Sequence, residues 1–246
     1  GFGLISPLAM AQTALAPAAV EIPAPDFSVL DKVAIDAIKA FNTPGMSLGA
    51  LSPEAHRGYT AMMGALRGSL CLYQGEELGL PEADVAFEDL QDPYGIEFWP
   101  EFKGRDGCRT PIPWKSEPLG GFTQSSAPWL PIAESQRPMA VNEQEGNRHS
   151  VLHAYRDFLH IRRSYPELRH GDIQFIYNDE TTLTFLRSYH GKQLYVAINT
   201  AGQDTILPVE HKLTALTLPE AIHSGYIDGD TAILPPFSIL LASVIT

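Results

Sequence analysis

Between Asp92 and Trp114 the chain reads Asp-Pro-Tyr-Gly-Ile-Glu-Phe-Trp-Pro-Glu-Phe-Lys-Gly-Arg-Asp-Gly-Cys-Arg-Thr-Pro-Ile-Pro-Trp. Pro93, Pro100, Pro111 and Pro113 each fix φ and remove a backbone donor, while Gly95, Gly104 and Gly107 free the backbone. Both residue types are too dense here for a regular helix or strand. What remains is a structured loop, with charged heads set among the faces of Tyr94, Phe98, Trp99, Phe102 and Trp114. A surface of that kind suits the rim of a sugar-binding pocket. The loop as a whole is expected to run from Gln74 to about Asn147, far longer than ordinary connections, which points to a functional loop.

The flanks are regular. Ser52 is a good N-cap and Pro53 suits the first turn of a helix whose apolar face carries Tyr59, Met62, Met63 and Leu66, with Arg67 and Gly68 closing it. Ser69-Leu70-Cys71-Leu72-Tyr73, bounded by Gly68 and Gly75, reads as a short buried parallel strand. Beyond the loop, a helix is expected from about Asn147 to Tyr165, with Leu152, Tyr155, Phe158, Leu159 and Arg162 on one side and Pro166 at its end. From Asp172 the period changes to two. Ile173–Tyr177, Thr182–Leu186, Gln193–Ile198 and Phe237–Leu241 read as strands, separated by turn pieces Asn178-Asp179, His190-Gly191 and Asp228-Gly229. That is an antiparallel β-domain. Upstream, Ala16–Pro25 reads as a linker, and Ser28 with Asp31 opens a further helix through Leu30, Val33, Ala37, Ile38 and Phe41, ended by Pro44-Gly45.

Charge narrows the class of ligand. The 246 residues carry a net charge of −12, and ten acids against two bases fall between Gln74 and Asp106. Such a surface disfavours nucleic acid and anionic membrane and suits a neutral ligand; solubility is the plainer explanation. Two cysteines are too few for a disulfide framework: Cys71 is expected as a buried thiol and Cys108 sits in the motif loop. No paired Cys/His spacing predicts a metal site, and His153 and His160, seven apart on one helix, fit solvated or core roles better than ligation. No segment reaches the roughly 18 apolar residues of a membrane span. Residues 1–20 are uncharged and include Ala9-Met10-Ala11, which reads either as a clipped export signal without its basic start or as an Ala/Pro-rich disordered start.

Several runs resemble α-glucosidases of the α-amylase glycoside hydrolase family. Tyr73-Gln74-Gly75-Glu76-Glu77-Leu78-Gly79 looks like the family's eighth barrel strand and its exit. Arg105-Asp106-Gly107-Cys108-Arg109-Thr110-Pro111 looks like its Arg-Asp…Arg-Thr-Pro signature, Gly121-Phe122-Thr123 is similar to a short element that follows, and Ser150–Asp172 resembles the eighth helix and exit. The stretch from Phe27 to Leu48, with Ala40-Phe41-Asn42-Thr43-Pro44-Gly45, resembles instead the opening helix and first strand of β-lactamase-like serine hydrolases, without the Ser-x-x-Lys nucleophile motif.

The resemblance implies a fold that is α/β plus all-β: the incomplete end of a (β/α)8 barrel followed by a small antiparallel C-terminal β-sandwich domain. The expected divisions are residues 1–25 (signal-like or disordered), 26–50 (the β-lactamase-like remnant), 51–170 (barrel end) and 171–246 (β-domain). It implies retaining hydrolysis or glucosyl transfer on short α-glucosides, which needs a carboxylate pair about 5 Å apart. The family's catalytic carboxylates sit on strands upstream of the Ser52 helix. Neither its Asn-His-Asp nor its Arg-x-Asp motif occurs in the sequence, so the chain is expected to be a fused fragment, inactive alone. No cofactor is implied. The implied partner is a small α-glucoside, with no nucleic acid and no membrane. The alternatives are a non-catalytic module for packing, sugar binding or complementation, and, more weakly, a β-lactamase-like fragment. Localisation is divided: the start suggests export, the α-glucosidase part resembles largely intracellular enzymes.

By that resemblance Arg105 reaches toward the sugar, since a guanidinium offers fixed donors to hydroxyls and carboxylates; its alternative is a salt bridge to Asp106. Phe102 is the candidate for stacking on a sugar face, or for packing within the loop. Arg109 reads as a loop anchor and Asp106 as an internal partner. Glu76 and Glu77 are adjacent, so on an extended segment they point opposite ways and cannot both face one bond. Trp99, Trp114 and Trp129 read as sugar platforms or as packing.

Overall fold

A computed structural model describes residues 51–245, all within one compact unit, Ile38–Thr246. The linker, the helix opened by Ser28 and the β-lactamase-like stretch lie outside the described residues. Helix α1 (Pro53–Ala65) starts as its sequence dictates: the Ser52 side chain accepts the Ala55 N–H at 3.3 Å and Pro53 takes the first position. Its far end is closed by a side chain from elsewhere. The Arg162 guanidinium donates to the carbonyls of Gly64, Leu66 and Gly68 at 2.6, 3.0 and 2.5 Å. The Gly64 and Leu66 carbonyls belong to the open C-terminal end of the helix, where positive charge is favoured, and Gly68 lies just past it. Arg162, read from sequence as part of an apolar side, is therefore a capping group on α4 (Val151–Ser164). That helix begins at Ser150, whose hydroxyl accepts the His153 N–H at 3.3 Å. A short α5 (Pro166–His170) follows.

Eight strands follow: β1 (Asp172–Asn178), β2 (Thr182–Tyr189), β3 (Lys192–Asn199), β4 (Thr205–Pro208), β5 (Leu213–Ala215), β6 (Tyr226–Asp228), β7 (Thr231–Leu234) and β8 (Ser238–Val244). They form two antiparallel sheets, in the orders β1-β2-β3-β8-β5 and β4-β7-β6. The β2–β3 hairpin turns at His190-Gly191, with Tyr189 opposite Lys192 and φ positive at both turn residues, the geometry a two-residue hairpin requires.

The centre of the larger sheet, β2, β3 and β8, is buried on both faces, while its edge strands β1 and β5 are not. Phe185, Leu194, Val196, Ile198, Ile239 and Leu241 face α1 and α4, meeting Met62, Phe158 and Ile161. Their sequence neighbours Leu186, Tyr195, Ala197, Leu240 and Ala242 face the smaller sheet, meeting Leu207, Ala232 and Leu234. Two-sided burial explains why β3 and β8 read as nearly unbroken apolar runs although their pairing is antiparallel. Helix α1 approaches α4 closely because it carries Gly64 there: a Cβ at that position would fall 2.4 Å from the Phe158 ring.

Sequence reading missed β4, β5, β6 and β7, which span only three or four residues each and show too few alternations to register. It also placed a strand at Ser69–Tyr73 that the structure does not contain. A strand exists through its neighbours, and all eight strands of the described residues begin at or beyond Asp172. Ser69–Tyr73 runs instead with most of its side chains exposed, and Cys71, expected buried, is an exposed free thiol. Met63, expected on the apolar face of α1, is 37% exposed. No helix among the described residues is long and apolar enough to cross a membrane.

Candidate functional site

The loop between Tyr73 and α4 is irregular but not slack. It contains 3-10 turns at Glu76–Leu78, Phe87–Asp89, Asp106–Cys108 and Glu134–Met139, and two short helices, α2 (Pro93–Glu97) and α3 (Val141–Glu145). Helix α2 falls inside the run judged too rich in Pro and Gly for regular structure. It forms because Pro93 occupies the first turn, where no donor is missed, and Asp92 caps it, accepting the Tyr94 N–H at 3.1 Å.

Two buried glutamines stitch this loop together. Gln144 donates to the carbonyls of Leu78 and Met139 at 2.8 and 2.9 Å and accepts the Leu152 N–H at 3.0 Å. Gln136 donates to the Pro81 carbonyl at 2.7 Å and accepts the Thr110 hydroxyl at 3.0 Å. Between the segments so joined lies a cavity of about 360 Å³. Tyr73, Gln74, Glu76 and Glu82 form one side; Arg105, Cys108, Thr110 and Gln136 form another, with His56 of α1 also in the wall. Donors, carboxylates and one tyrosine face are the inventory a polyhydroxylated ligand requires.

Arg105 thus stands in the cavity wall, its guanidinium making no hydrogen bond or ion pair among the described residues. The alternative pairing of Arg105 with Asp106 does not occur. Asp106 is fully buried and accepts the N–H groups of Gln91 and Asp92 at 2.6 and 2.8 Å and the Arg109 guanidinium at 2.8 Å. Arg109 also reaches Asp92 at 3.3 Å, so it anchors the loop. Phe102 is 49% exposed and does not line the cavity; its N–H donates to the Phe98 carbonyl at 3.0 Å. Glu76 and Glu77 lie on a 3-10 turn rather than an extended segment, and each accepts a nearby backbone N–H, from Tyr73 at 3.2 Å and from Gly75 at 2.8 Å. Only Glu76 reaches the wall.

Trp99 packs against Phe87 at 5.6 Å and lies under Lys103, while Trp114 and Trp129 are exposed. His153 is buried and bonded to Arg148 and the Glu145 carbonyl, and His160 is exposed, so the two do not converge.

Two ionisations are displaced here. The Arg105 N–H, with the Tyr94 N–H and Arg109 behind it, holds the Asp92 carboxyl below the ordinary carboxylate value. Loss of solvation and the adjacent Glu82 carboxylate push the Cys108 thiol up, which keeps it protonated and weakly nucleophilic at neutral pH. Among the described residues no three His, Cys, Asp or Glu side chains converge as a metal-binding group. Sequence reading did not find Gln136, Gln144, Glu82 or His56. No periodicity or motif marks Gln136, whose partners Pro81 and Thr110 lie 55 and 26 positions away, or the bond of Gln144 to Leu78, 66 positions away.

The model of the alpha amylase catalytic domain matches residues 49–171. A probable alpha-glucosidase of Rhizobium meliloti is 50% identical over 156 residues, covering 63% of this chain and 28% of its own length. An alpha-glucosidase of Candida albicans is 26% identical, over 68% of this chain and 34% of its own. Among solved structures, an alpha-glucosyl transfer enzyme superimposes with a TM-score of 0.75 at 45% identity, over 80% of this chain and 36% of that one. A trehalulose synthase of Pseudomonas mesoacidophila, at 19% identity and TM-score 0.68, shares the fold. The chain spans about a third of the length of the curated relatives it matches.

Proposed function

This chain belongs to the alpha amylase catalytic-domain family, and from that premise we propose that its long loop forms one wall of an α-glucoside site used for retaining hydrolysis or glucosyl transfer. Residues 51–170 are the barrel end of that enzyme and residues 171–246 its β-domain. Arg105 is the sugar-binding donor of the wall, and the exposed ring of Phe102, which does not line the cavity, is the candidate for stacking on a sugar face. No cofactor takes part; carboxylates and water suffice for the reaction. The observation that carries this reading is the Arg105 guanidinium, unpaired among the described residues, in a cavity that also presents Glu76, Glu82 and Gln136.

By itself, the 246-residue chain binds but does not turn over its sugar. Glu76 is tied to its own turn by the Tyr73 N–H and Cys108 is held protonated; neither Glu76 nor Glu82 is assigned a catalytic role in this reading. The test is glucose release from maltose and from a chromogenic α-glucoside, alongside maltose binding by calorimetry. Saturable binding without release, lost in Arg105→Ala, supports the reading. Turnover abolished by changing Glu76 or Glu82 overturns it.

A second reading, a non-catalytic module that complements a partner, is favoured by one feature. Ser69–Tyr73 leaves Leu72 and Tyr73 39% and 48% exposed and pairs with no strand among the described residues. An exposed apolar segment that joins no sheet is a candidate for strand addition, through Ser69–Leu72, since both backbone groups of Tyr73 are already bonded to Glu76.

A further inference from the structure

We propose that Asp92 is a positioning residue for Arg105, setting where that guanidinium stands in the cavity wall. The inference rests on the α-glucoside reading above only for its consequence in binding. Arg105 has no side-chain bond of its own among the described residues, so what holds it at the cavity wall is the position of its backbone. That backbone is held by Asp92. One carboxylate oxygen, Oδ2, accepts the Arg105 N–H at 2.9 Å and an Arg109 N–H at 3.3 Å, while Oδ1 accepts the Tyr94 N–H at 3.1 Å. A single side chain thus joins the start of α2 to the residue that enters the cavity.

The carboxylate is itself fixed. The Asp92 N–H donates to the fully buried Asp106 at 2.8 Å, and Arg109 bridges the two carboxylates. The chain before Arg105 passes directly over Asp92. Gly104 has φ +75°, and a Cβ there would lie 2.9 Å from the Asp92 side chain. Only glycine allows that passage without strain. Asp92 is 9% exposed, so water is a poor substitute for the bonds it makes. Its displaced ionisation agrees with this geometry, since the Arg105 N–H is the first cause of it.

Asp92 has two separable duties, capping α2 and holding Arg105, and the test divides them. Asp92→Ser keeps a competent helix cap but is one bond too short to reach Arg105. In the full chain, amide exchange followed by NMR is expected in this variant to stay slow at Tyr94 and Ile96 of α2, whose N–H groups bond to Asp92, and to rise about tenfold at Arg105, the loss of one charge-assisted bond. Maltose affinity, measured by calorimetry, is expected to fall by a similar factor. On an Arg105→Ala background Asp92→Ser is expected to cost no further affinity, because its effect passes through Arg105.

Unchanged exchange at Arg105 overturns the proposal. So does equal loosening of α2 and Arg105, or losses that multiply in the double variant. If the unaltered chain binds no maltose, the α-glucoside reading fails, and the exchange measurement still decides the role of Asp92.

Discussion

Helices α1 and α4 lean on the five-stranded sheet through Met62, Phe158, Ile161, Phe185, Val196 and Leu241, and the smaller sheet closes the other face. The loop from Gln74 to Asn147 has one small apolar cluster, Ala83, Val85, Leu90 and Leu130 with Trp99 and Ala133 beside them, and buries Leu78 and Ala140 apart from it. What the loop lacks in apolar burial it replaces with side-chain bonds to its own backbone: Asp106 to Gln91 and Asp92, Asp92 to Arg105, Gln136 to Pro81, and Gln144 to Leu78. A fully buried Leu, Ile or Phe contributes about 1.5–3 kcal/mol, whereas a net hydrogen bond contributes about 1. The body is therefore held by area and the loop by placement. That difference predicts that the loop opens while the body stays folded, and it leaves a site built on the loop to be set by a few polar atoms.

The largest test of that contrast strikes the body. Phe158 is 1% exposed and packs against the bare backbone of Gly64. Phe158→Ala is expected to cost about 3–5 kcal/mol in denaturant unfolding followed by far-ultraviolet circular dichroism. A loss below about 1 kcal/mol would mean that the helices do not share a core with the sheet.

Arg187 comes next. It is fully buried on β2 and donates to the carbonyls of Ala65 and Gly171 at 2.6 and 2.9 Å, clamping the end of α1 to the start of β1. Burial, with Arg162 and Arg67 nearby, pulls its pKa down to about 10. Arg187→Met keeps the bulk but leaves two carbonyls unpaired, for an expected loss of about 2 kcal/mol by the same measurement. No loss would show that desolvating the guanidinium costs as much as its bonds return.

The same contrast explains what the sequence disclosed. Helices α1 and α4 and strands β1, β2, β3 and β8 are long enough for their period, caps and turns to be read, because area-driven burial leaves a repeating apolar trace. Ser69–Tyr73 carries that trace too, yet pairs with nothing among the described residues; an apolar run tells of a buried face, not of the neighbour that buries it. In the loop, Arg105 and Arg109 were legible through a motif, whereas Asp92 was only one acid among ten. Nothing local told that its carboxylate would meet the N–H of a residue thirteen positions on. Arg162 was misread for the converse reason: its spacing matched an apolar face, and only the fold brought the carbonyls of α1 within its reach.

Smaller effects are expected from the loop, and they carry a distinct signal because all three tryptophans, Trp99, Trp114 and Trp129, lie within it. Asp106→Ala removes the acceptor for two backbone N–H groups and for Arg109. The loop is expected to lose about 2 kcal/mol of local stability, seen as tryptophan fluorescence that changes in denaturant before circular dichroism does. The midpoint followed by circular dichroism should move by less than about 0.5 kcal/mol. Coincident transitions, both shifted, would merge the two regions into one cooperative unit.

The smallest effect is one of pH, and its sign follows from Asp92. A carboxyl held below its ordinary value by the Arg105 and Tyr94 N–H groups binds its proton more weakly folded than unfolded. Its stabilisation is therefore fully present above the unfolded value of 3.8 and disappears as pH falls through the lower folded value. Most of what holds the body has no such dependence, since apolar contacts and the arginine–carbonyl bonds of Arg162 and Arg187 do not titrate in acid. On acidification below 3.8, tryptophan fluorescence should change at a higher pH than far-ultraviolet circular dichroism. In Asp92→Asn, which cannot ionise, the gap between the two transitions should narrow. A gap of the same width in that variant would assign the acid sensitivity of the loop to a different carboxylate, and the hold of Asp92 on Arg105 would then owe nothing to its charge.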